Sequence, residues 1–449
     1  MNNIGESKAH RLLLLLKSSS DFLVKSGIAL VVRVCAAAAT YAGSILMARW
    51  FGVEQFGVLA QILTGVASLS IVLTFGLRSG LIRFLGEYRS LADDALARGL
   101  IKSSYSLVVI GTVTSGALLV AISLYAFSES SENKAIAYAL GALLLPAFAI
   151  VDLQSAILRS SGDIFWALAP RDFLWRLSFL PIGFFVAALS LPDYELLIFL
   201  TSIVAVLNLF AFVQWLQVRR LLTISLKGPM KVDRATWLKA IWPMWMSSIA
   251  TSGLRNIDVI IVSAVLSVSQ AGLYFAASRT AALVSFALTV SNLVVGPKVS
   301  RLFYSGDHNE LHRYLAVAAA VVFLPTALFF LAFIFFGTWA LGLFGSDFEP
   351  LLPELLILAF AQMVNGAVGC VVVVLNMTGF ERVNLRILVV CSVLTIVSGS
   401  ISTHYFGTLG TALCFGGGLI AWNVALAITA YRLTGFNPTI FGAYRFLLK

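Results

Sequence analysis

Apolar runs of about 20 residues or more follow one another along the whole 449-residue chain, separated by short polar stretches. Twelve can be placed, at about 27–48, 57–78, 103–127, 135–158, 173–191, 194–217, 240–266, 271–295, 314–337, 351–376, 383–404 and 408–431. Each is long enough to cross a hydrocarbon layer of about 30 Å as a helix. A helix also satisfies its own backbone hydrogen bonds where no water can. The chain therefore reads as an all-α polytopic membrane protein. Its 12% charged residues, against about 25% in a globular domain, fit nothing soluble.

The charges between the runs test the count, because cytoplasmic loops collect Lys and Arg. With the N-terminus inside, 25 of the 31 basic residues fall on inside segments. Only Arg49 and Lys134 lie outside, with eight acids beside them, and the alternation holds across every loop. Both termini are therefore expected inside. The same distribution accounts for the net charge of +10, which in a soluble chain would suggest nucleic acid; no nucleic-acid motif is present. Cys35, Cys370, Cys391 and Cys414 all sit in apolar runs without metal-ligand spacing, so no metal site is expected. Leu12–Leu16 is too short to span and no cleavage site follows it, so the first run is expected to serve as the insertion signal.

The two halves resemble each other at a spacing near 215 residues. Gln55-Phe56-Gly57 before run two matches Gln270-Ala271-Gly272 before run eight, and Leu73-Thr74 matches Leu288-Thr289. Arg159-Ser160-Ser161-Gly162 after run four matches Asn376-Met377-Thr378-Gly379 after run ten. Six runs per half, an even number, make the repeat parallel, about an axis along the membrane normal. The expected organisation is a cytoplasmic amphipathic segment (1–26), an N-terminal lobe (27–218), a cytoplasmic linker (219–239), a C-terminal lobe (240–432) and a cytoplasmic tail (433–449), with a central cavity between the lobes.

Four basic residues lie within the runs: Arg33, Arg176, Arg255 and Arg279. Asp152 and Asp258 are the acids among them. A charge at that depth costs about 3 kcal/mol or more unless it faces water, protein or a partner. Arg255 and Asp258 share a helix face, which leaves two readings open: a lumen cation with its positioner or protonation switch, or a self-neutralised pair. Arg279 reads either as lining a pathway or as snorkelling; Arg33 and Arg176, nearer the inner edge, likewise read either as cavity cations that bind substrate or as side chains that reach the headgroups. Asp152 reads either as a coupling site or as a partner for Arg176. Arg49, Arg78 and Arg83 flank runs and read first as boundary markers. Trp242 and Trp245 read as interfacial anchors, and Pro146 and Pro325 as bends.

Several phrases, in order, resemble the polysaccharide-exporter family of O-antigen-type, lipid-linked oligosaccharide flippases, within the superfamily that includes the multidrug extruders. They are Ala48-Arg49-Trp50-Phe51-Gly52-Val53-Glu54-Gln55-Phe56-Gly57, Phe75-Gly76-Leu77 with Arg83-Phe84-Leu85-Gly86-Glu87, Asp258-Val259-Ile260-Ile261, Ala271-Gly272-Leu273-Tyr274 with Arg279, and Tyr405-Phe406-Gly407-Thr408-Leu409-Gly410-Thr411-Ala412. The resemblance implies two six-helix lobes and alternating access. It further implies movement of an isoprenoid-pyrophosphate-linked saccharide from the inner to the outer leaflet of a bacterial cytoplasmic membrane. Membrane lipid, a polysaccharide polymerase and assembly proteins are the partners it suggests, around a monomer without cofactor, driven by a proton or sodium gradient or the membrane potential.

The buried charges lean the same way. Four intramembrane arginines against two aspartates suit an anionic headgroup, since a guanidinium binds phosphate oxygens bidentately and stays charged. A drug or cation antiporter on the same fold is the alternative and should carry unpaired intramembrane carboxylates. A glycan polymerase or ligase would need a sizeable outside loop with catalytic groups. The longest outside loop, at about 338–350, is short, so no enzyme is expected.

Overall fold

The computed structural model describes residues 3–91, 93–126, 132–189, 191, 194–222 and 228–442. Side chains are described for these except residues 3–26, 29, 90, 254, 255, 293, 294, 297 and 304. No strand occurs among the described residues.

The described chain is a bundle of twelve spans. Spans 1 and 2 form one helical stretch, Asn3–Leu73, divided at Gly52 (φ 72°, ψ 175°). Spans 11 and 12 likewise share Glu381–Thr434, divided at Gly407 (φ 63°, ψ −148°). A residue with a Cβ would be strained in either conformation, so glycine turns the chain back with almost no loop. The outside loop expected at 49–56 is therefore corrected to a break at one residue. Span 3 is Asp94–Ala126, span 4 Glu132–Ser160 and span 6 Glu195–Leu221. Span 7 is Arg234–Val265, whose halves Arg234–Gly253 and Asn256–Val265 meet at 55°. Span 8 runs through Val268–Ala282, Leu283–Ser285 and Phe286–Tyr304. Span 9 is His308–Gly342, and span 10 is Leu352–Val368 with Val371–Met377.

Span 5 departs most from expectation. It begins at Ile164, not near 173, capped by Asp163, which accepts the Trp166 N–H at 3.0 Å. It continues through a π-helical turn, Ala169–Leu174, to Trp175–Leu177 and Phe179–Ala188. Pro170 and two charges make this stretch look like a loop in sequence, while the structure carries it as helix. The expected inside loop after span 2 also contains a helix, Leu77–Ser90. Its Leu77, Leu81, Phe84, Leu85 and Tyr88 are buried, with Arg83 and Glu87 exposed, as a one-sided surface helix requires.

The outward surface is apolar, with Phe335, Phe184 and Leu324 all more than 60% exposed. Such continuous apolar exposure marks a lipid-facing surface. We call "inner" the end that carries the basic loops.

The cores explain the shape. At the outer end one apolar cluster joins both lobes, from Met47, Phe56 and Phe199 to Phe275, Phe344, Phe348 and Leu355. Phe56 makes edge contacts with Phe275 (5.8 Å between centroids) and Phe348 (6.0 Å). At the inner end the lobes keep separate cores: Leu81, Leu100 and Leu153 with neighbours in one, Val299, Leu311 and Val374 in the other. The linker and the start of span 7 cross over at that end: Lys231 N–H donates to the Ala95 carbonyl at 3.0 Å, Trp237 to Tyr88 Oη at 2.7 Å and Trp245 to the Val72 carbonyl at 3.0 Å. Trp245 is thus a tie between lobes and not the interfacial anchor expected from sequence.

The repeat has a structural counterpart. Gly57 and Gly272, equivalent in the two halves, face each other: a Cβ on Gly272 would lie 2.8 Å from the Gly57 Cα. One on Gly57 would lie 2.1 Å from the Val268 carbonyl oxygen. Backbone meets backbone there, which only glycine permits. Gly162 and Gly379, also equivalent, share a φ near 87° (86° and 88°).

Candidate functional site: a cationic cavity between the lobes

Between the joined outer core and the separate inner cores lies a cavity of about 820 Å³, within the range of ligand sites, about 300–1,000 Å³. Arg78, Arg171, Arg176 and Arg279 line it, with Asp152 and Asp258.

The Arg171 site is built from three elements. Asp152, 3% exposed on span 4, accepts a direct ion-paired hydrogen bond from Arg171. The Arg78 guanidinium lies 3.6 Å from the same oxygen. Arg171 also lies over the Phe148 ring, 4.4 Å from its centroid. Arg78 is aimed by a turn in which Phe75 (φ 48°) and Gly76 (φ 68°) are both left-handed. Phe75 is the only described non-glycine residue with positive φ, a conformation that costs energy unless surroundings hold it. Trp245 packs on its ring at 5.2 Å. Arg159 stands behind the trio within electrostatic reach of Arg78, Arg33 and Asp152.

The π turn of span 5 serves the same wall. In a regular α-helix Arg171 and Arg176, five residues apart, would diverge by roughly 140°. The i+5 bonding of a π turn brings them towards one side, and both line the cavity. Arg176 donates to Thr40 Oγ1 at 2.7 Å.

In the second lobe, Asp258 is 5% exposed and accepts its neighbour Val259 N–H at 2.9 Å. Arg279 lies within its electrostatic reach and over the Phe275 ring at 4.6 Å. The Arg255 side chain lies outside the described residues.

Of the other residues singled out in the sequence, Arg33 is half-buried on span 1 and is not among those lining the cavity. Asp152 pairs with Arg171 and Arg78, whereas Arg176 is bonded to Thr40. Arg78, read as a boundary marker, lies in the cavity wall, and Arg83 is exposed beside Phe84. Arg49 is at the outer seam, donating to the Leu343 and Gly342 carbonyls at 2.5 and 3.4 Å. Sequence reasoning missed Arg171, having taken it for a loop residue. The available signal was that a buried Asp152 needs a cation, and Arg171 is as near in sequence as Arg176.

Arg49 bridges the lobes where they must part for the cavity to open outwards. Because the contact is exposed, Arg49→Ala is expected to leave unfolding stability within about 0.5 kcal/mol. It should favour outer opening by about fivefold, the value of about 1 kcal/mol for one hydrogen bond. Spin labels at Glu132 and Asp347, exposed on the outer ends of the two lobes, would read this as a longer distance population.

No protein-family model matches the chain, and no curated protein does. Among solved structures, it is similar to an inward-facing multidrug resistance MATE family transporter of the MOP superfamily, with 16% identity, a TM-score of 0.70 and coverage of 90% of this chain and 97% of that one. It is similar to the lipid II flippase MurJ in an inward closed conformation, with 16% identity, a TM-score of 0.69 and coverage of 89% and 86%. To an outward-facing MATE family transporter the TM-score is 0.60, with 14% identity and coverage of 94% and 96%. The fold is that of the MOP-superfamily transporters, two lobes of six spans about a central cavity.

Proposed function

We propose that this protein is a flippase that carries an isoprenoid-pyrophosphate-linked oligosaccharide from the inner to the outer leaflet by alternating access, for surface polysaccharide synthesis. The observation that carries this reading is the charge of the cavity wall: four arginines against two aspartates among the described residues. A pyrophosphate offers only acceptor oxygens, and guanidinium groups offer only donors. Asp152 holds two of these arginines in place while leaving the trio net positive. A cationic drug would meet net repulsion on the same wall, which counts against an antiporter of cations.

In this reading the substrate enters where the inner cores are separate. Opening the outer end requires the Gly57–Gly272 seam and the aromatic cluster around Phe56 to part. Asp152 and Asp258 are the acids available for coupling to a proton or sodium gradient. The membrane is the bacterial cytoplasmic membrane, with both termini inside. Lobes of residues 27–218 and 240–432, joined by the linker, move against each other.

The test is transport by the purified protein in vesicles. A fluorescent isoprenoid-pyrophosphate saccharide is expected to cross leaflets, and a cationic dye is not. The reverse result moves the protein to the antiporters. In cells, Arg255→Ala is expected to abolish surface polysaccharide at normal protein level; retained export would remove Arg255 from the substrate path.

A further inference from the structure

The two sides of the cavity differ in kind. The cations come from span 5, from the start of Leu77–Ser90 and from Arg279 of span 8. Among the described residues, spans 10, 11 and 12 contribute no charged residue to the wall, yet they contribute the side-chain amides Gln362, Asn365, Asn376, Asn384 and Asn423. Apolar runs have no packing reason to carry so many amides, which are costly to bury unless they are hydrogen-bonded.

Two polar atoms on this side, and a third on the neighbouring inner half of span 8, are buried without a hydrogen-bond partner. Asn384 is 7% exposed and lines the cavity. Its Nδ2 donates to Asn376 Oδ1 at 3.1 Å, which leaves its own Oδ1 unsatisfied. Asn292 Oδ1 on span 8 and the Trp422 Nε1–H on span 12 are in the same position, and both residues line the cavity. Trp422 packs beside Val372 against the inner core of spans 10 and 12, so its ring is fixed. Buried polar groups in native proteins are nearly always satisfied. The first-lobe wall has unsatisfied atoms of its own at Thr64 Oγ1 and Arg171 Nε, but on spans 11 and 12 and the inner half of span 8 they are neutral amide and indole groups, and this set points to a ligand that completes it.

The chemistry of the set identifies the ligand class. Two of the three orphans are acceptors. An ionised phosphate has nothing to donate to them, whereas a hydroxyl both donates and accepts. A neutral wall with two acceptors, one donor and an indole surface matches a hydroxyl-bearing ring. We propose that Asn292, Asn376, Asn384 and Trp422 form the saccharide subsite, so that a bound substrate bridges the lobes with its pyrophosphate on the arginines and its first sugar here. This rests on the flippase reading above.

The test compares two lipids on the full-length protein in nanodiscs: an isoprenoid pyrophosphate bearing one neutral hexose, and the same lipid without sugar. The unmodified protein is expected to bind the sugar-bearing lipid about tenfold more tightly, the value of one or two hydrogen bonds. Asn384→Ala combined with Trp422→Phe is expected to reduce that preference to about twofold or less, with the affinity for the sugarless lipid unchanged. Trp422→Phe alone keeps the ring and its packing, and it should lose part of the preference even if the double variant proves unstable. Equal binding of both lipids by the unmodified protein, or full preference in Trp422→Phe, overturns the subsite and leaves the flippase reading standing. Binding of neither lipid by the unmodified protein overturns the flippase reading itself.

Discussion

Gly57→Val is expected to stop transport while leaving the protein folded in the membrane. The added Cβ would lie 2.1 Å from the Val268 carbonyl oxygen and 2.8 Å from the Val268 carbonyl carbon. Both are backbone atoms at the start of span 8, which no rotamer change can clear. The seam must therefore stand further apart whenever the outer end tries to close. Overpacking of this kind costs about 1–3 kcal/mol, and here it falls only on the state in which the lobes meet. That converts to a loss of roughly 5- to 150-fold in the ratio of the outer-closed to the outer-open form. Leaflet crossing by a fluorescent lipid in vesicles should fall accordingly, and labels at Glu132 and Asp347 should move apart. Normal transport with an unchanged label distance would show that the seam is not the moving contact. The equivalent Gly272→Val meets Gly57 from the other side and should give the same phenotype.

Asp152→Ala is expected to have the largest effect on stability of any single substitution in the cavity. It removes the shared partner of Arg171 and Arg78, whose side chains are 18% and 40% exposed. Stranding buried guanidinium groups costs about 3–5 kcal/mol. The exposure of Arg78 to the cavity puts the value near the lower end, a fall in melting temperature of roughly 3–4 °C for a protein of this size. The double variant Asp152→Ala with Arg171→Ala should recover much of the loss, because the stranded charge goes with its partner. Asp152→Asn keeps the shape and can accept one hydrogen bond, so it should melt between the two. If the double variant melts no higher than Asp152→Ala, the pair is not what the carboxylate stabilises.

The span count was legible because hydropathy is a local property: about 20 apolar residues declare a crossing without reference to any neighbour. The repeat was legible for the same reason, and it found the two glycines of the outer seam before their contact was visible. Span 5 was not legible. Pro170, Arg171 and Asp172 lower the local hydropathy, and a π turn leaves no periodic signature that distinguishes it from a loop. The break at Gly52 was hidden differently, since Arg49 and Glu54 suggest an outside loop although the helices continue to a single residue. The amides of spans 10 to 12 escaped because a tally of charges passes over neutral groups.

What the sequence by itself determined is the class of molecule: twelve helices in two similar halves, basic at one end, with more buried cations than acids. These follow from composition along the chain, where each residue's cost in lipid is settled by its own side chain. What only the tertiary structure decided is which charges meet. Arg78 and Asp152 are 74 residues apart and come together because Leu77–Ser90 packs on span 4. Arg171 reaches the same oxygen because a π turn faces it inward. Partnership between buried charges depends on distance and shared solvent exclusion, and neither exists until the helices have packed.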